Sequence, residues 1–203
     1  MARHTAKSHK IRKVEILVIQ ISNCNCPDLS EMLQSKEANY ANLYTTFSEY
    51  CDKVSEPIAI CGLSLGAILA LHYGIEHPNK IKSLALIAAQ YKMPKRLLAL
   101  QNIIFRFMSN SMFQSMGLSK TQFIQLSKSM MWLDYSVELN KILCPVLVIC
   151  GGKDSANIKA ARELSEQLAH AELCIIEKAG HEVNVDAPEQ LANVLDGFMA
   201  DRN

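Results

Sequence analysis

The feature of this sequence that most constrains its fold is a serine with a glycine two residues away on each side, Gly62-Leu63-Ser64-Leu65-Gly66. An apolar run of strand type precedes this motif, and a helix-forming run follows it. A serine at a tight strand-to-helix turn has a strained backbone, and side chains in place of its glycines would collide with the strand or the helix. We therefore predict that Ser64 stands on such a turn, with its hydroxyl lifted off a sheet.

The same turn would prepare Ser64 for nucleophilic chemistry. The backbone N–H of Leu65 would lie at the N-terminus of the following helix, where a negatively charged oxygen could be held. The alternative is a plain strand–helix connection without chemistry, because this motif also occurs by chance in Gly/Ser-rich loops.

Two downstream loops contain the partners that a serine nucleophile needs, a histidine that takes its proton and a carboxylate that orients the histidine. Asp154 follows an apolar run at residues 145–150, and His181 follows a second one at residues 172–176. We predict both runs to be strands, and catalytic groups of open α/β sheets gather at the carboxyl ends of strands. The sequence therefore predicts a triad of Ser64, His181 and Asp154.

Other roles for these residues remain open at this point. Asp154 could be a turn residue or the cap of a helix that begins near Asn157, and Asp134 is the alternative acid. His181 could be an ordinary loop histidine.

The order Ser64, Asp154, His181, each in a loop after a strand, resembles the α/β-hydrolase superfamily. The resemblance covers about residues 39–199. It includes three further stretches of sequence: His77-Pro78-Asn79-Lys80-Ile81-Lys82-Ser83-Leu84, Gly180-His181 and Asp186-Ala187-Pro188-Glu189. It implies a mostly parallel sheet with helices on both faces, and a serine hydrolase in which the Leu65 N–H holds the oxyanion.

The N-terminal part of the sequence departs from the superfamily pattern. Superfamily members have three or four strands before the helix that leads to the serine turn, and a His-Gly loop that gives a second oxyanion N–H. Here residues 14–21 are the one strand candidate before Ser64, and no histidine is followed by glycine. We expect an N-terminally reduced sheet of about five strands, in which residues 14–21 pair with the serine strand as a parallel neighbour. The alternative is that this strand lies one place further out, as in the superfamily, and leaves a groove with an exposed sheet edge, through which chains could self-associate.

An apolar segment at residues 92–139 interrupts the strand–helix alternation. Leu97, Gln101, Ile104 and Met108 follow helical spacing, so we predict a set of helices. In the superfamily an insertion here forms a lid over the serine. Its methionines and phenylalanines are either core filler or the wall of an adaptable pocket for an acyl or alkyl group.

Composition sets the wider limits. The length of 203 residues suits one domain, and the net charge of +1 gives no sign of nucleic-acid binding. Residues 1–13 carry five basic residues and no acid, which predicts a disordered basic arm. No apolar run is long enough to cross a membrane.

The cysteines indicate the compartment. Seven cysteines without a C-x-x-C pair favour a cytoplasmic protein without disulfides or a metal site, and nothing in the sequence predicts a cofactor.

Two functions follow from these observations. The first is a serine hydrolase that cleaves a small ester, thioester or related bond with an apolar acyl or alkyl group. Its binding partner would then be a small-molecule substrate. The second is a catalytically impaired, truncated homologue that serves as a binding or interaction protein or has no function.

Overall fold

The computed structural model describes residues 16–19, 24–33, 36–110, 113 and 118–200; for residues 16–19 and Cys24 the description is limited to the backbone. The predicted basic arm at residues 1–13 lies outside the described part of the chain. The chain divides into two compact units. Unit 1 contains the described residues up to Cys26, residues 56–90 and those from residue 138 onward, and unit 2 contains residues 27–55 and 91–137. The single domain expected from the chain length stays a prediction.

Unit 1 is built on a six-stranded sheet in the order β2-β1-β3-β4-β5-β6. Its strands are β1 (Ile16–Ile19), β2 (Cys24–Asn25), β3 (Ile58–Leu63), β4 (Ile81–Ile87), β5 (Val146–Gly151) and β6 (Ala171–Ile176). Strands β3 to β6 are parallel, so their carboxyl ends meet at one edge of the sheet. Every residue of β3 and β5 is buried, as expected for apolar strands of a covered parallel sheet.

The first strand differs from the prediction in its direction. Strand β1 pairs directly with β3, as predicted, but it runs antiparallel, with Ile16 opposite Gly62 and Ile19 opposite Ala59. The two-residue strand β2 then runs back along β1, so that the sheet has six strands rather than about five. The prediction of a parallel neighbour assumed a simple crossover from residues 14–21 to the serine strand, and it was wrong because β2 reverses the chain before the helices that lead to β3. Self-association through a sheet edge stays a prediction.

Helices surround this sheet and build the second unit. Unit 1 has α3 (Leu65–Glu76), α6 (Ile158–Gln167), α7 (Val183–Asp186) and α8 (Pro188–Ala200). Unit 2 has α1 (Leu29–Met32), α2 (Tyr40–Asp52), α4 (Lys95–Phe107) and α5 (Lys120–Met130). Among the described residues, every helix is too short or too polar to span a membrane.

Both faces of the sheet in unit 1 are covered. Alternate residues of a strand point to opposite faces. Ala85 and Ile87 belong to the same buried cluster as Phe198 of α8. Leu84, which points the other way, packs so closely on α3 that a Cβ on Gly74 would lie 2.9 Å from its Cδ1. The predicted fold class, a mostly parallel sheet with helices on both faces, is therefore confirmed.

Unit 2 includes most of the predicted insertion. Helices α4 and α5 form there, in agreement with the helical spacing of the sequence. Three aromatic rings pack together between them: Phe105 lies 5.6 Å from Phe113 and 5.2 Å from Phe123, measured between ring centroids. Edge-to-face arrangements of this kind stabilise a small core. That these helices form a lid over Ser64 stays a prediction.

Candidate active site

Ser64 is the single residue between β3 and α3. Its backbone has φ 53° and ψ −112°, a region that residues with a side chain rarely adopt. The Ser64 N–H donates to the carbonyl oxygen of Ile87 at 2.8 Å, and this bond to the neighbouring strand holds the strained turn in place. Strain of this kind persists where the surrounding structure fixes it, and it is typical of functional sites.

The turn requires glycine at position 62. A Cβ on Gly62 would lie 2.3 Å from the carbonyl carbon and oxygen of Gly66 and 2.6 Å from the nitrogen of Ala67. These are backbone atoms of the first turn of α3, which cannot move aside as a flexible side chain could. The predicted collision at Gly62 is therefore present in the structure.

The three residues of the predicted triad lie together at the carboxyl edge of the sheet. Ser64 Oγ is 3.0 Å from His181 Nε2, and His181 Nδ1 is 2.8 Å from Asp154 Oδ2. With its proton on Nδ1, the imidazole donates to the Asp154 carboxylate, and Nε2 accepts the Ser64 hydroxyl proton. Asp154 is buried, whereas His181 is partly exposed. This is the arrangement in which a histidine can activate a serine.

Close backbone packing fixes the loop that bears His181. A Cβ on Gly151, the last residue of β5, would lie 2.1 Å from the carbonyl oxygen of Gly180. The Gly180 N–H in turn donates to Asp186 Oδ2 at 2.7 Å. The loops that bear Asp154 and His181 are therefore held against each other by backbone contacts that a larger residue at 151 would disrupt.

Two amide side chains that the sequence analysis did not identify complete the site. Asn157 Nδ2 donates to both carboxylate oxygens of Asp154, at 2.9 and 2.8 Å, and lies 3.1 Å from His181 Nδ1. Gln90 Nε2 donates to Asn157 Oδ1 at 2.8 Å and to the Ala156 carbonyl oxygen at 3.2 Å. Because the Asn157 oxygen is occupied by Gln90, its NH₂ group must face Asp154.

The alternative acid, Asp134, has other partners. Its carboxylate lies 2.9 Å from Lys92 Nζ and accepts from the hydroxyl and the N–H of Ser136. The Ser136 hydroxyl and then Lys92 lower the pKa of Asp134 to about 2. Of the two carboxylates, it is the Asp154 carboxylate that has a hydrogen bond to His181.

The proposed oxyanion donor is at the start of a helix. Leu65 is the first residue of α3, where helix geometry provides no intrahelical acceptor for the N–H. The N–H groups of Ala67 and Ile68, further along the first turn, already have an acceptor, since they donate to the Ser64 carbonyl oxygen at 3.1 and 3.2 Å. The role of Leu65 in holding an oxyanion stays a prediction.

Comparison with known proteins bears on the family and the fold of this chain. Residues 29–134 match the model of a family described as serine aminopeptidase, S33. The matched segment is just over half of the chain and includes Ser64. Comparison with curated protein sequences finds no match.

Solved structures share the fold at low sequence identity. A hydrolase from Pseudomonas aeruginosa PA01 has a TM-score of 0.69 and 17% identity, over 88% of this chain and 76% of that one. A thermophilic esterase from Thermogutta terrifontis has a TM-score of 0.67 and 16% identity, over 89% and 76%. An esterase from Exiguobacterium antarcticum has a TM-score of 0.69 and 17% identity, over 88% and 78%.

These likenesses agree with the parallel sheet and the covering helices described above. The family model matches the segment that contains the serine turn, and the solved structures share the sheet on which that turn stands. The protein belongs to the serine aminopeptidase S33 family of α/β hydrolases.

Proposed function

We propose that this protein is a serine hydrolase in which Ser64 attacks, His181 transfers the proton and Asp154 orients His181. The observation that supports this most strongly is the unbroken set of contacts from Ser64 Oγ through both ring nitrogens of His181 to the buried Asp154 carboxylate. Family membership agrees with hydrolysis as the reaction type.

The reaction proceeds in two halves. The Ser64 hydroxyl proton moves to His181 Nε2 while Oγ bonds to the carbonyl carbon of the substrate, and the oxyanion forms beside the Leu65 N–H. When this intermediate collapses, His181 gives the proton to the leaving alcohol or thiol, and an acyl group stays on Ser64. Water then repeats the sequence, with His181 as base, and releases the acid and the Ser64 hydroxyl.

The proposed substrate is a small ester, thioester or related compound with an apolar acyl or alkyl group. The proposal is supported by the apolar composition of residues 92–139 and by the esterases among the structures that share this fold. The family description names an aminopeptidase, so an amide is the natural comparison substrate. The location proposed for this reaction is the cytoplasm.

The test is hydrolysis of p-nitrophenyl esters of increasing acyl length, with amino-acid p-nitroanilides alongside. We expect ester turnover by the wild-type protein, and a loss of about 1000-fold or more in kcat for Ser64→Ala and for His181→Ala. Ser165→Ala on α6 is the matched control and should keep full activity. Ester turnover that survives in Ser64→Ala would refute the proposal, and absence of any turnover would favour the catalytically impaired homologue.

A further inference from the structure

Helix α4 buries a polar side chain and exposes large apolar ones, the reverse of what is expected for a helix that faces water. The residue of α4 that is buried is Asn102. Phe107 is 85% exposed, and four more large apolar residues are between 45% and 55% exposed. These four are Leu97, Leu100, Ile103 and Ile104. Contiguous exposed apolar side chains of this number mark an interaction surface.

The exposed residues lie on one side of the helix. At about 100° per residue, the five side chains fall within an arc of about 120°. We call these five residues the outer face of α4. The opposite side of the helix contains Phe105, which packs against Phe113 and Phe123 inside unit 2. Helix α4 therefore has two apolar sides, of which one builds the core of its unit and the other is exposed.

The charged residues of α4 are all cations, and Asp134, two residues after Trp132, is paired with Lys92 Nζ. Residues 91–133 contain six lysines and arginines and no aspartate or glutamate. On the helical projection, Lys95 and Arg106 lie near one border of the outer face, and Arg96 lies between Ile103 and Phe107. A stripe of apolar side chains with cations at its border is complementary to a surface that is both apolar and anionic.

Trp132 extends this surface at the N-terminal end of α4. Its side chain is 75% exposed, and Lys95 Nζ lies 3.9 Å from the centroid of its ring. Tryptophan with a neighbouring lysine is well suited to the boundary between water and lipid, because the ring is apolar while the indole N–H and the ammonium group stay hydrated.

We propose that the outer face of α4, with Trp132, docks on an anionic lipid surface. The helix would lie in the plane of the interface, since its 13 residues extend about 20 Å and cannot cross a bilayer. A second copy of the chain is a poorer occupant, because it would bring the same cations face to face. The docking is independent of the proposed function and does not need Ser64.

Trp132 makes the test direct, because it is the one tryptophan of the chain. Its fluorescence is followed while the full-length protein is titrated with vesicles of phosphatidylcholine, with or without phosphatidylglycerol, at low salt. We expect a blue shift and co-sedimentation with the anionic vesicles alone. In the variant Arg96→Gln with Arg106→Gln, partitioning should fall about 30-fold, since each cation near an anionic surface contributes about fivefold.

A second pair of variants tests the apolar part of the surface. Leu100→Glu with Ile104→Glu should abolish the shift, whereas Leu143→Glu, an exposed leucine of unit 1, should leave it unchanged. Ser64→Ala should bind vesicles like the wild-type protein. A failure of the hydrolase proposal would therefore leave the vesicle-binding result unchanged. The docking proposal would be overturned if the protein bound neutral vesicles as well as anionic ones, or if Leu143→Glu lost as much vesicle binding as Leu100→Glu with Ile104→Glu. It would also be overturned if the Trp132 fluorescence shifted to the blue without vesicles, on dimerisation of the protein.

Discussion

At the scale of single residues, the orientation of His181 depends on a buried carboxylate that is itself held by an amide. Asp154 Oδ2 accepts from both His181 Nδ1 and Asn157 Nδ2, and Gln90 fixes which way the Asn157 amide points. A buried carboxylate with a missing donor would turn toward another partner or draw in water. We therefore propose that Asn157 is a positioning residue, which acts on the proposed chemistry through Asp154.

We expect Asn157→Ala to lower kcat for ester hydrolysis about 10- to 100-fold. Hydrogen bonds to a charged group contribute about 1.5–3 kcal/mol, and 1.4 kcal/mol corresponds to a factor of ten. KM should change little, since Asn157 acts on the triad and makes no proposed contact with the substrate. Steady-state kinetics with a p-nitrophenyl ester measures both constants.

Gln90 provides the control for this interpretation. Gln90→Ala alone should lower kcat by a smaller factor, because Asn157 keeps its donors but loses the bond that fixes their direction. In the Asn157→Ala background, Gln90→Ala should lower kcat almost no further, since the effects of two substitutions in one hydrogen-bonded network do not add. Fully additive losses would show that Gln90 does not act through Asn157.

The sequence predicted some residues of the candidate site and missed others for a physical reason. Ser64, Asp154 and His181 each follow a strand and have glycine nearby, so both position and local chemistry indicate them. Asn157 and Gln90 lie 67 residues apart, and their contact depends on how β4 and β5 pair. The one signal in the sequence was the three-residue spacing from Asp154 to Asn157, which equally suggests a helix cap.

At the scale of elements, the serine turn depends on how closely β3 approaches α3. The strand and the helix are joined through one residue, so the backbone of the first helical turn lies against the end of the strand. The strain at Ser64 is offset by the helix, the neighbouring strand and the absence of a side chain at position 62.

We expect Gly62→Ala to destabilise the protein by about 3 kcal/mol or more. The added Cβ would meet backbone atoms of Gly66 at 2.3 Å, so relief requires movement of the strand or the helix. Gly197→Ala on α8 is the matched control, because a Cβ there meets nothing within 4 Å. It should stabilise the protein by about 0.5–1 kcal/mol, as alanine does in a helix. Urea unfolding measures both, and a Gly62→Ala variant as stable as the wild-type protein would contradict this account of the turn.

Most elements follow from the hydrophobic pattern, and the exceptions lie where the pattern is short. Strands β5 and β6 agree with the sequence prediction to within about one residue at each end. Strand β2, with two residues, is too short for any periodicity to indicate it. The direction of β1 depends on that short strand, because β2 reverses the chain before α1 begins.

At the scale of the whole molecule, the buried sheet of unit 1 contrasts with the exposed apolar face of α4 in unit 2. Burial in unit 1 includes the side chains of Cys61, Cys144 and Cys150. Burial raises the pKa of the Cys144 thiol to about 11. It also raises the pKa of the Cys150 thiol to about 11, with a further contribution from the charge of Asp154. Cys26, by contrast, is exposed.

We expect thiol labelling at pH 8 to distinguish these cysteines. A pKa near 11 leaves about one thiol in a thousand as the reactive thiolate at pH 8, and the fraction rises tenfold per pH unit up to that pKa. In a Cys24→Ser background, Cys26 should react first with an iodoacetamide reagent, and Cys144 and Cys150 should react only after unfolding in urea. Peptide mass spectrometry identifies the labelled residues, with Cys26→Ser as the control that removes the fast phase. Rapid labelling of Cys150 in the folded protein would show that β5 is not buried.

The central claim is that His181 and Asp154 make Ser64 a nucleophile, and covalent labelling with a fluorophosphonate tests it most directly. Ser64 Oγ would attack the phosphorus and displace fluoride, so the reagent reports nucleophilicity without knowledge of the substrate. We predict one adduct per chain, located on Ser64 by peptide mass spectrometry, absent from Ser64→Ala and strongly slowed in His181→Ala. An unlabelled wild-type protein, or an adduct that persists in Ser64→Ala, would contradict the account.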